Sequence, residues 1–356
     1  MAYTTIPKSS ANFSTNLYTG TGSNLTINTG HQSDLIWIKQ RATVRPNCLF
    51  DSVNSSNFAG GNSKYLVSNT YDPLTSDNST QITANSSTGF SIGTDNSDQI
   101  NNNGDTAVAW SWKAGTTSGI ATDGTTTITP SAYSFNQTSG FSIIKYSGNG
   151  VDGAYLPHGL GVSPKVMIVK RLVDTGWDWY VYHVALGNQK YLQLNETSAI
   201  SSTNGMWGSY TPTSVNMKMS NDAQIGASGK NYIMYCFADV QGYSKMGSYI
   251  GNGHANGTFA YTGFKPAFIL VKNTGNSARN WQIYDSKRIG YNYNNYRIAT
   301  NLPQTEESNL NIDIYSNGFK ARSTDADVNE NAKTYIYMAF AEEPLVSTNG
   351  TPATAR

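Results

Sequence analysis

One pattern of motifs occurs three times along the 356-residue chain, and this repetition is the strongest constraint on its fold. The pattern begins with Tyr-x-Gly-x-Gly, continues with an apolar run that ends in Lys, and closes with an aromatic-rich run. The two clearest copies start at Tyr146 and Tyr249, 103 residues apart, and a weaker copy starts at Tyr18. A period near 100 residues is the size of a small domain rather than of a solenoid unit. The sequence therefore predicts three related domains.

Each copy carries signals for β-strands and tight turns. The continuous apolar runs at 166–169 and 268–271 are typical of strands that are covered on both faces. Asn-Gly pairs such as Asn149-Gly150 and Asn252-Gly253 supply the backbone conformations that hairpins require. No window combines a helical apolar stripe with capping residues. The predicted fold class is all-β, with tandem jelly-roll-like β-sandwich domains built from three internal repeats of about 100 residues.

The composition of the stretches between the motifs predicts the domain boundaries. Residues 116–137 are rich in Thr, Gly and Ser, which is typical of a flexible or extended linker. The predicted division is an N-terminal arm at 1–12, β-sandwich repeats at 13–115, 138–241 and 242–343, the linker at 116–137, and an extended tail at 344–356.

Charge and hydropathy exclude several classes of protein. Charged residues make up 13% of the chain, the net charge is +1, and no basic face for nucleic acid is evident. No run approaches the 18 apolar residues of a membrane-spanning helix, and the N-terminus lacks a secretory signal pattern. The Asn, Ser, Thr, Gly and Tyr content is instead common in adhesins, carbohydrate-binding modules and viral surface proteins. Release by lysis within a virus particle would take such a chain outside a cell without a signal peptide.

Residue types that support catalysis show no recognisable constellation. The four histidines have no zinc-ligand spacing, and no serine lies in a nucleophile elbow, so the sequence predicts that the protein is not an enzyme. His158 precedes a strand in a loop and is expected to be exposed. His183 aligns with Asp51 and Asp285, where a polar group is expected to cap a turn or bond to backbone. Two cysteines at different points of their repeats predict separate buried thiols.

One cluster of acidic residues is compatible with a cation-binding site. Asp325, Asp327 and Glu330 form the densest group of carboxylates, and oxygen-rich loops can hold calcium. Their spacing does not match the twelve-residue calcium loop, and the second repeat lacks the corresponding acids. The sequence predicts no cofactor, and calcium near this cluster is the alternative.

Clustered aromatic side chains are the candidates for surface contact, because aromatic faces beside amide groups can stack on sugar rings. Trp179 and Trp281 align between repeats and are expected in the core, whereas the first repeat has Asn47 there. The candidate contact residues are Trp177, Tyr180 and Tyr182 in the second repeat and Tyr291, Tyr293 and Tyr296 in the third.

Several motifs resemble an uncharacterised three-repeat family of marine bacteriophage and cyanophage virion proteins. The clearest are the segments Ser33-Asp-Leu-Ile-Trp-Ile-Lys39, Val108-Ala-Trp-Ser-Trp-Lys-Ala114 and Gly242-Tyr-Ser-Lys-Met-Gly-Ser-Tyr249. The resemblance covers nearly the whole chain. It implies a tail-fibre-like or lectin-like virion protein, assembled in the host cytoplasm, and it supplies no catalytic residues.

Three functions follow as expectations from this resemblance and from the composition. The first is a surface-exposed structural component of a tail fibre or spike that attaches to host-surface glycan. The second is a capsid decoration or head-fibre protein, and the third is a glycan-active enzyme. The expected partners are other virion proteins, further copies of the chain in a trimer, and a host glycan, with neither nucleic acid nor membrane insertion.

Overall fold

The computed structural model describes residues 4–58, 63–76, 81–202, 205–207, 210–288, 292, 296–308, 311–344 and 346. The described chain is all-β, with antiparallel strand pairs and three one-turn 3-10 helices at Ser9–Ala11, Ser56–Phe58 and Val184–Leu186. No helix in these residues has the length and apolar content needed to span a bilayer. The prediction of an all-β sandwich architecture is confirmed.

The first segment of the fold forms one large and one small sheet. The large sheet has the order β1-β9-β3-β4-β5-β6, and the small sheet has the order β2-β8-β7. The strands are β1 Phe13–Thr19, β2 Leu25–Asn28, β3 Leu35–Gln40, β4 Cys48–Asp51, β5 Lys64–Val67, β6 Thr75–Ser76, β7 Ile82–Ser86, β8 Gly89–Ile92 and β9 Thr106–Trp112.

The second segment follows the same order with one additional edge strand. Its large sheet has the order β10-β11-β18-β13-β14-β15-β16, and its small sheet pairs β12 with β17. The strands are β10 Ala132–Asn136, β11 Phe141–Ser147, β12 Ala154–Pro157, β13 Val166–Arg171, β14 Trp179–His183, β15 Lys190–Gln193, β16 Ser201–Ser202, β17 Asn216–Met219 and β18 Asn231–Phe237.

The third segment again forms a large sheet and a small sheet. The large sheet has the order β19-β27-β21-β22-β23-β24, and the small sheet has the order β20-β26-β25. The strands are β19 Ser244–Ile250, β20 Phe259–Tyr261, β21 Phe264–Asn273, β22 Trp281–Asp285, β23 Tyr296–Ala299, β24 Glu307–Ser308, β25 Ile312–Tyr315, β26 Gly318–Ala321 and β27 Thr334–Pro344.

The segments that connect and flank the sheets are more ordered than their composition indicates. The stretch expected as a linker contains β10, and Thr116 forms a β-bridge with Phe135. Ile128 in the same stretch is buried in the core of the second segment. Within the expected N-terminal arm, Ile6 is buried in a core shared by all three segments. Apolar burial at Ile6 and Ile128 explains the difference, because each removes a side chain from water. Pro344, the first residue of the expected tail, is the last residue of β27. The residues after 346 lie outside the described part.

The Tyr-x-Gly-x-Gly motif joins β1, β11 or β19 to the loop before the last strand of the same segment. The tyrosine hydroxyl donates to a backbone carbonyl of that loop, and the first glycine lies against the loop backbone. A Cβ atom at Gly251 would come within 2.3 Å of the Glu330 carbonyl oxygen, so only glycine fits. The three hydroxyl bonds join Tyr18 to Ile100, Tyr146 to Ile225 and Tyr249 to Val328, each at 2.7 Å.

Alternating side chains of the large sheets enter two different cores. In β3, Ile36 and Ile38 face the small sheet of the first segment and pack with Phe90, which makes a sandwich. Leu35 and Trp37 of the same strand point the other way, into a core that contains residues of all three segments. This alternation explains why the apolar runs are continuous, since both faces of the strand are covered.

Three aromatic rings meet where the large sheets converge. Trp112 and Phe237 are the last residues of β9 and β18, and Phe340 lies within β27, so each segment contributes one ring. Their ring centroids are 6.3 Å apart for Trp112 and Phe237, 5.6 Å for Trp112 and Phe340, and 5.7 Å for Phe237 and Phe340. The three segments therefore share one interior rather than forming separate cores only.

Hydrogen bonds link the segments in cyclic order. Each uses the residue at or just before the start of β4, β14 or β22 and a backbone carbonyl of another segment. Asn47 donates through its amide where the other two segments have an indole, so it replaces the tryptophan in this role. The bonds run from Trp179 Nε1 to Val67 O at 3.0 Å, from Trp281 Nε1 to Gln193 O at 2.8 Å, and from Asn47 Nδ2 to Leu302 O at 2.8 Å.

The repeated lysines of the apolar strands are buried. Lys39, Lys170 and Lys272 donate their ammonium protons to backbone carbonyls. Lys170 Nζ reaches Tyr71 O of the first segment at 3.2 Å, and Lys272 Nζ reaches Thr197 O of the second segment at 3.2 Å. Burial lowers the pKa of each ammonium group to about 8. Lys170 and Lys272 therefore satisfy carbonyls where segments meet, whereas Lys39 bonds to Gln40 O and Thr43 O of its own segment.

The two cysteines are separate buried thiols, as predicted. Cys48 lies in the first sandwich and Cys236 in the second, so no disulfide joins them. Burial raises the pKa of the Cys236 thiol to about 12, which keeps it protonated and unreactive at neutral pH.

Candidate functional site

The structure corrects the predicted contact cluster of the second segment. Tyr180 and Tyr182 are buried in the second sandwich, where the Tyr182 ring packs against Trp207 at a centroid distance of 5.8 Å. Neither ring can form a surface contact, because alternation along β14 places both toward the small sheet. Trp177 is half-buried, and the guanidinium of Arg171 lies 4.3 Å from its ring centroid.

The predicted tyrosine cluster of the third segment lies mostly outside the described residues. Tyr291 and Tyr293 are in the part of the chain that the structure does not describe. Tyr296 is half-buried at the start of β23 and pairs with Ser308 of β24. The structure therefore places one of these three rings, at the outer end of a large sheet, and their role as a contact surface stays a prediction.

The acidic cluster is engaged by donors of its own chain. Arg297 contacts Asp325 at 2.8 Å and Asp327 at 3.6 Å, and Asn276 Nδ2 donates to Glu330 at 2.7 Å. Among the described residues, no group of three or more His, Cys, Asp or Glu side chains has the geometry to hold a metal ion. These contacts give the carboxylates a structural role, and calcium here stays a prediction.

Two buried histidines are neutral and bond to the backbone. His158 is fully buried rather than exposed, because its loop is covered by the 213–215 segment. Its Nδ1 accepts from the Leu160 N–H at 3.2 Å, so its Nε2 carries the proton that faces Thr213 O at 3.1 Å. His183 Nδ1 accepts from the Ala185 N–H at 3.1 Å, the turn-capping role that its alignment indicated. Burial lowers the pKa of both imidazoles to about 4, so neither is poised for acid–base catalysis near pH 7.

An open cleft of about 670 Å³ lies between the first and second segments. Asp34 and Ser52 line one wall, and Tyr133 and Ser134 of β10 line the other. The Asp34 carboxylate accepts from Ser52 Oγ at 2.9 Å, from Gln32 Nε2 at 3.1 Å and from a backbone N–H, and burial raises its pKa. Of the described residues that line the cleft, Asp34 alone carries a carboxyl group. Glycosidases generally use a pair of carboxyl groups, so this lining does not match theirs.

The outer face of the third small sheet presents exposed aromatic rings, a feature that the sequence reasoning missed. Phe259 is 42% exposed and Tyr261 is 56% exposed, and both lie on β20 on either side of buried Ala260. Tyr315 of β25 is half-buried, and its ring lies 5.9 Å from that of Phe259 in an edge contact. The signal in the sequence was an inverted alternation, with the small residue inward and the large rings outward.

The backbone of this sheet makes room for the rings. Gly318 pairs with Tyr261 on one side and with Tyr315 on the other. A Cβ atom at Gly318 would meet the Phe259 ring at 2.9 Å, so the absence of a side chain lets that ring lie over the strand. The three rings therefore form a surface that we call the aromatic platform, defined by Phe259, Tyr261 and Tyr315.

Charged groups adjoin the aromatic platform. Lys320 of β26 lies between Phe259 of β20 and Asp313 of β25 in the strand register. The Asp313 carboxylate is 3.1 Å from Nε of Arg322, which neutralises it. The face thus combines apolar ring surface with a fixed carboxylate and two cations, on a sheet that is packed beneath. Such a surface can stack on a sugar ring and hydrogen-bond to its substituents.

A comparison with protein-family models identifies the family of this chain. It belongs to the DUF7483 family. The model is described as a domain of unknown function and matches residues 8–344, which include all three large sheets and the aromatic platform. No curated protein and no solved structure matched the chain.

Proposed function

We propose that this DUF7483 chain is a structural component of a bacteriophage particle that attaches to glycan on the host surface as part of a tail fibre or spike. The phage assignment is supported by the sequence motifs that resemble marine phage virion proteins. The observation that carries the attachment role is the aromatic platform, where exposed rings stand beside Asp313, Lys320 and Arg322.

The architecture suits this role physically. The rings stand on a sheet whose inner face is buried, since Ala260 and Phe319 point into the core. Little conformational entropy is then lost when a ligand binds, because the contact surface is already ordered. Weak glycan contacts become effective when a particle carries several copies, since linkage raises the effective concentration. A trimer of the chain would supply such copies, with other virion proteins as the remaining partners.

A glycan array that spans neutral and acidic saccharides tests the attachment site. The double variant Phe259→Ala/Tyr261→Ala removes two exposed rings and should lower binding at least tenfold. Tyr71→Ala is the matched control, because Tyr71 is 55% exposed and lies outside the small sheets. Both variants should keep the wild-type melting temperature. Wild-type glycan binding by the double variant would refute the platform as the attachment site.

The copy number in purified particles tests the tail assignment against the capsid alternative. Quantitative mass spectrometry relative to the major capsid protein should give a few copies per hundred capsid subunits. A ratio near one copy per one or three capsid subunits would instead indicate a decoration protein.

A further inference from the structure

An aromatic residue lies opposite a lysine at corresponding places in two small sheets. In the third segment Phe259 pairs with Lys320, and in the second segment Tyr155 pairs with Lys218. Both pairs join the first strand of the small sheet to the strand beside it, and both lie on the outward face. Directly opposite residues in an antiparallel pair have Cβ atoms about 5 Å apart. The ring and the ammonium group are therefore close enough to contact the same small ligand.

The second pair is reinforced by a further ring. The Lys218 ammonium lies 4.9 Å from the Tyr155 ring centroid and 3.0 Å from that of Tyr210, which is 52% exposed. No acidic residue occurs in β12 or β17. This face therefore offers two rings and a cation that no strand neighbour neutralises.

The third face has the same chemical character with a different charge balance. Its strands carry one acid, Asp313, and one lysine, Lys320, and Arg322 pairs with the acid at 3.1 Å. The face therefore retains one net positive charge beside its rings. A ligand with a carboxylate next to an apolar ring face would complement both the second and the third faces.

The fold itself does not require the aromatic–lysine pair. In the first segment the corresponding residues are Thr26 and Ser91, whose hydroxyl oxygens are 3.3 Å apart. The first sandwich packs on Ile27 and Phe90 as the third does on Ala260 and Phe319. The outward aromatic–lysine pair is thus not needed for packing, and in the second and third segments it is available to contact a ligand.

From this recurrence we propose that each of the two faces binds an acidic saccharide, with the sugar ring on the aromatic side chain and the sugar carboxylate on the lysine. The proposal rests on the proposed glycan attachment and specifies its ligand class. It assigns one site to Tyr155, Lys218 and Tyr210 and another to Phe259 and Lys320. The first segment has no such site.

Isothermal titration with short uronic acid oligosaccharides tests the ligand class. The probes are trisaccharides of galacturonic, mannuronic and glucuronic acid, each compared with its methyl ester, which keeps the sugar and removes the charge. We expect two sites per chain for an acid, binding at least tenfold tighter than its ester, and weakening as salt rises. Equal binding of acid and ester would overturn the acidic ligand and leave the glycan attachment standing. Failure of all acids and esters to bind would overturn the acidic ligand, and binding to the neutral saccharides of the glycan array would then decide the proposed attachment.

Substitutions assign the two sites. Lys218→Met and Lys320→Met should each remove one site, and the double variant should lose the preference for the acid over the ester. Lys8→Met changes an exposed lysine away from the sheets and should bind as the wild type does. Two remaining sites in either single variant would overturn the assignment.

A gain of binding gives a test that does not depend on loss of function. Thr26→Tyr/Ser91→Lys places the pair on the first small sheet, at the register of the other two. The variant should bind three acidic trisaccharides per chain instead of two. An unchanged stoichiometry in a variant with the wild-type melting temperature would show that the pair is not sufficient for a site, which would overturn the proposal.

Discussion

Replacing Phe340 by alanine tests whether the three segments unfold as one unit. Phe340 belongs to the third segment and is 1% exposed. Its ring centroid lies 5.4 Å from Phe13, 5.6 Å from Trp112 and 5.7 Å from Phe237, which belong to the other two segments. Because the side chain is buried among rings of all three segments, its removal opens a cavity in the shared core and not in one sandwich.

The expected cost follows from the size and the neighbours of the ring. Truncation of a buried Phe to Ala costs about 3–5 kcal/mol, and we expect about 4 kcal/mol because rigid aromatic neighbours cannot collapse into the space. In hydrogen exchange, 4 kcal/mol corresponds to a roughly thousandfold faster exchange of amides that open only by global unfolding. These amides should lie in β9, β18 and β27, the second strand of the first and third large sheets and the third strand of the second.

Hydrogen exchange with mass spectrometry measures the three strands in one experiment. The slowest amides of β9, β18 and β27 should lose protection by the same factor in Phe340→Ala. Phe340→Leu is the control, since it keeps most of the apolar volume and should cost roughly 1.5 kcal/mol or less. Wild-type protection in β9 and β18 with loss confined to β27 would refute the shared core as the source of stability.

Three further predictions concern single positions. Trp281→Phe removes the 2.8 Å bond to Gln193 O and should cost about 1–3 kcal/mol in urea unfolding, so an unchanged midpoint would count against the cyclic links. Gly251→Ala drives a Cβ into the Glu330 carbonyl and should cost about 1–3 kcal/mol, whereas wild-type stability would show that the loop can move. The folded-state pKa of His158 is about 4 and lies below the unfolded value of 6.5. The unfolded state therefore binds more protons between these values, and stability falls as the pH drops from 6.5 to 4. His158→Gln should reduce the loss of stability between pH 7 and pH 5 by about 2 kcal/mol in urea unfolding, and an unchanged loss would contradict the neutral buried imidazole.

Local patterns in the sequence predicted the elements well. The apolar run that ends in Lys170 becomes β13, and the corresponding run that ends in Lys272 becomes part of β21. The continuous apolar character of these runs already indicated coverage on both faces. His183 also caps a turn as its alignment with Asp285 indicated. These features depend on neighbours along the chain or on one sheet, so the residue pattern alone determines them.

The candidate contact surface was harder to predict, because exposure depends on which face of a strand is covered. Tyr180 and Tyr182 have the same composition signal as exposed rings, but the small sheet of the second segment buries them. Phe259 and Tyr261 are exposed because the buried position between them is Ala260. A cluster of aromatic residues in the sequence therefore does not tell buried rings from exposed rings unless the strand register is known.

By itself, the sequence determined an all-β chain with recurring strands, tight Tyr-x-Gly-x-Gly turns and separate buried thiols. Only the tertiary structure decided that Trp112, Phe237 and Phe340 meet in one shared core, and that Asn47 takes over the inter-segment bond of the tryptophans. It also decided that Lys218 lies opposite the half-buried Tyr155 and that Lys320 lies opposite the exposed Phe259. The physical reason is that strand propensity and turn geometry are local properties, whereas these contacts join residues that are far apart in sequence and meet only when the sheets pack.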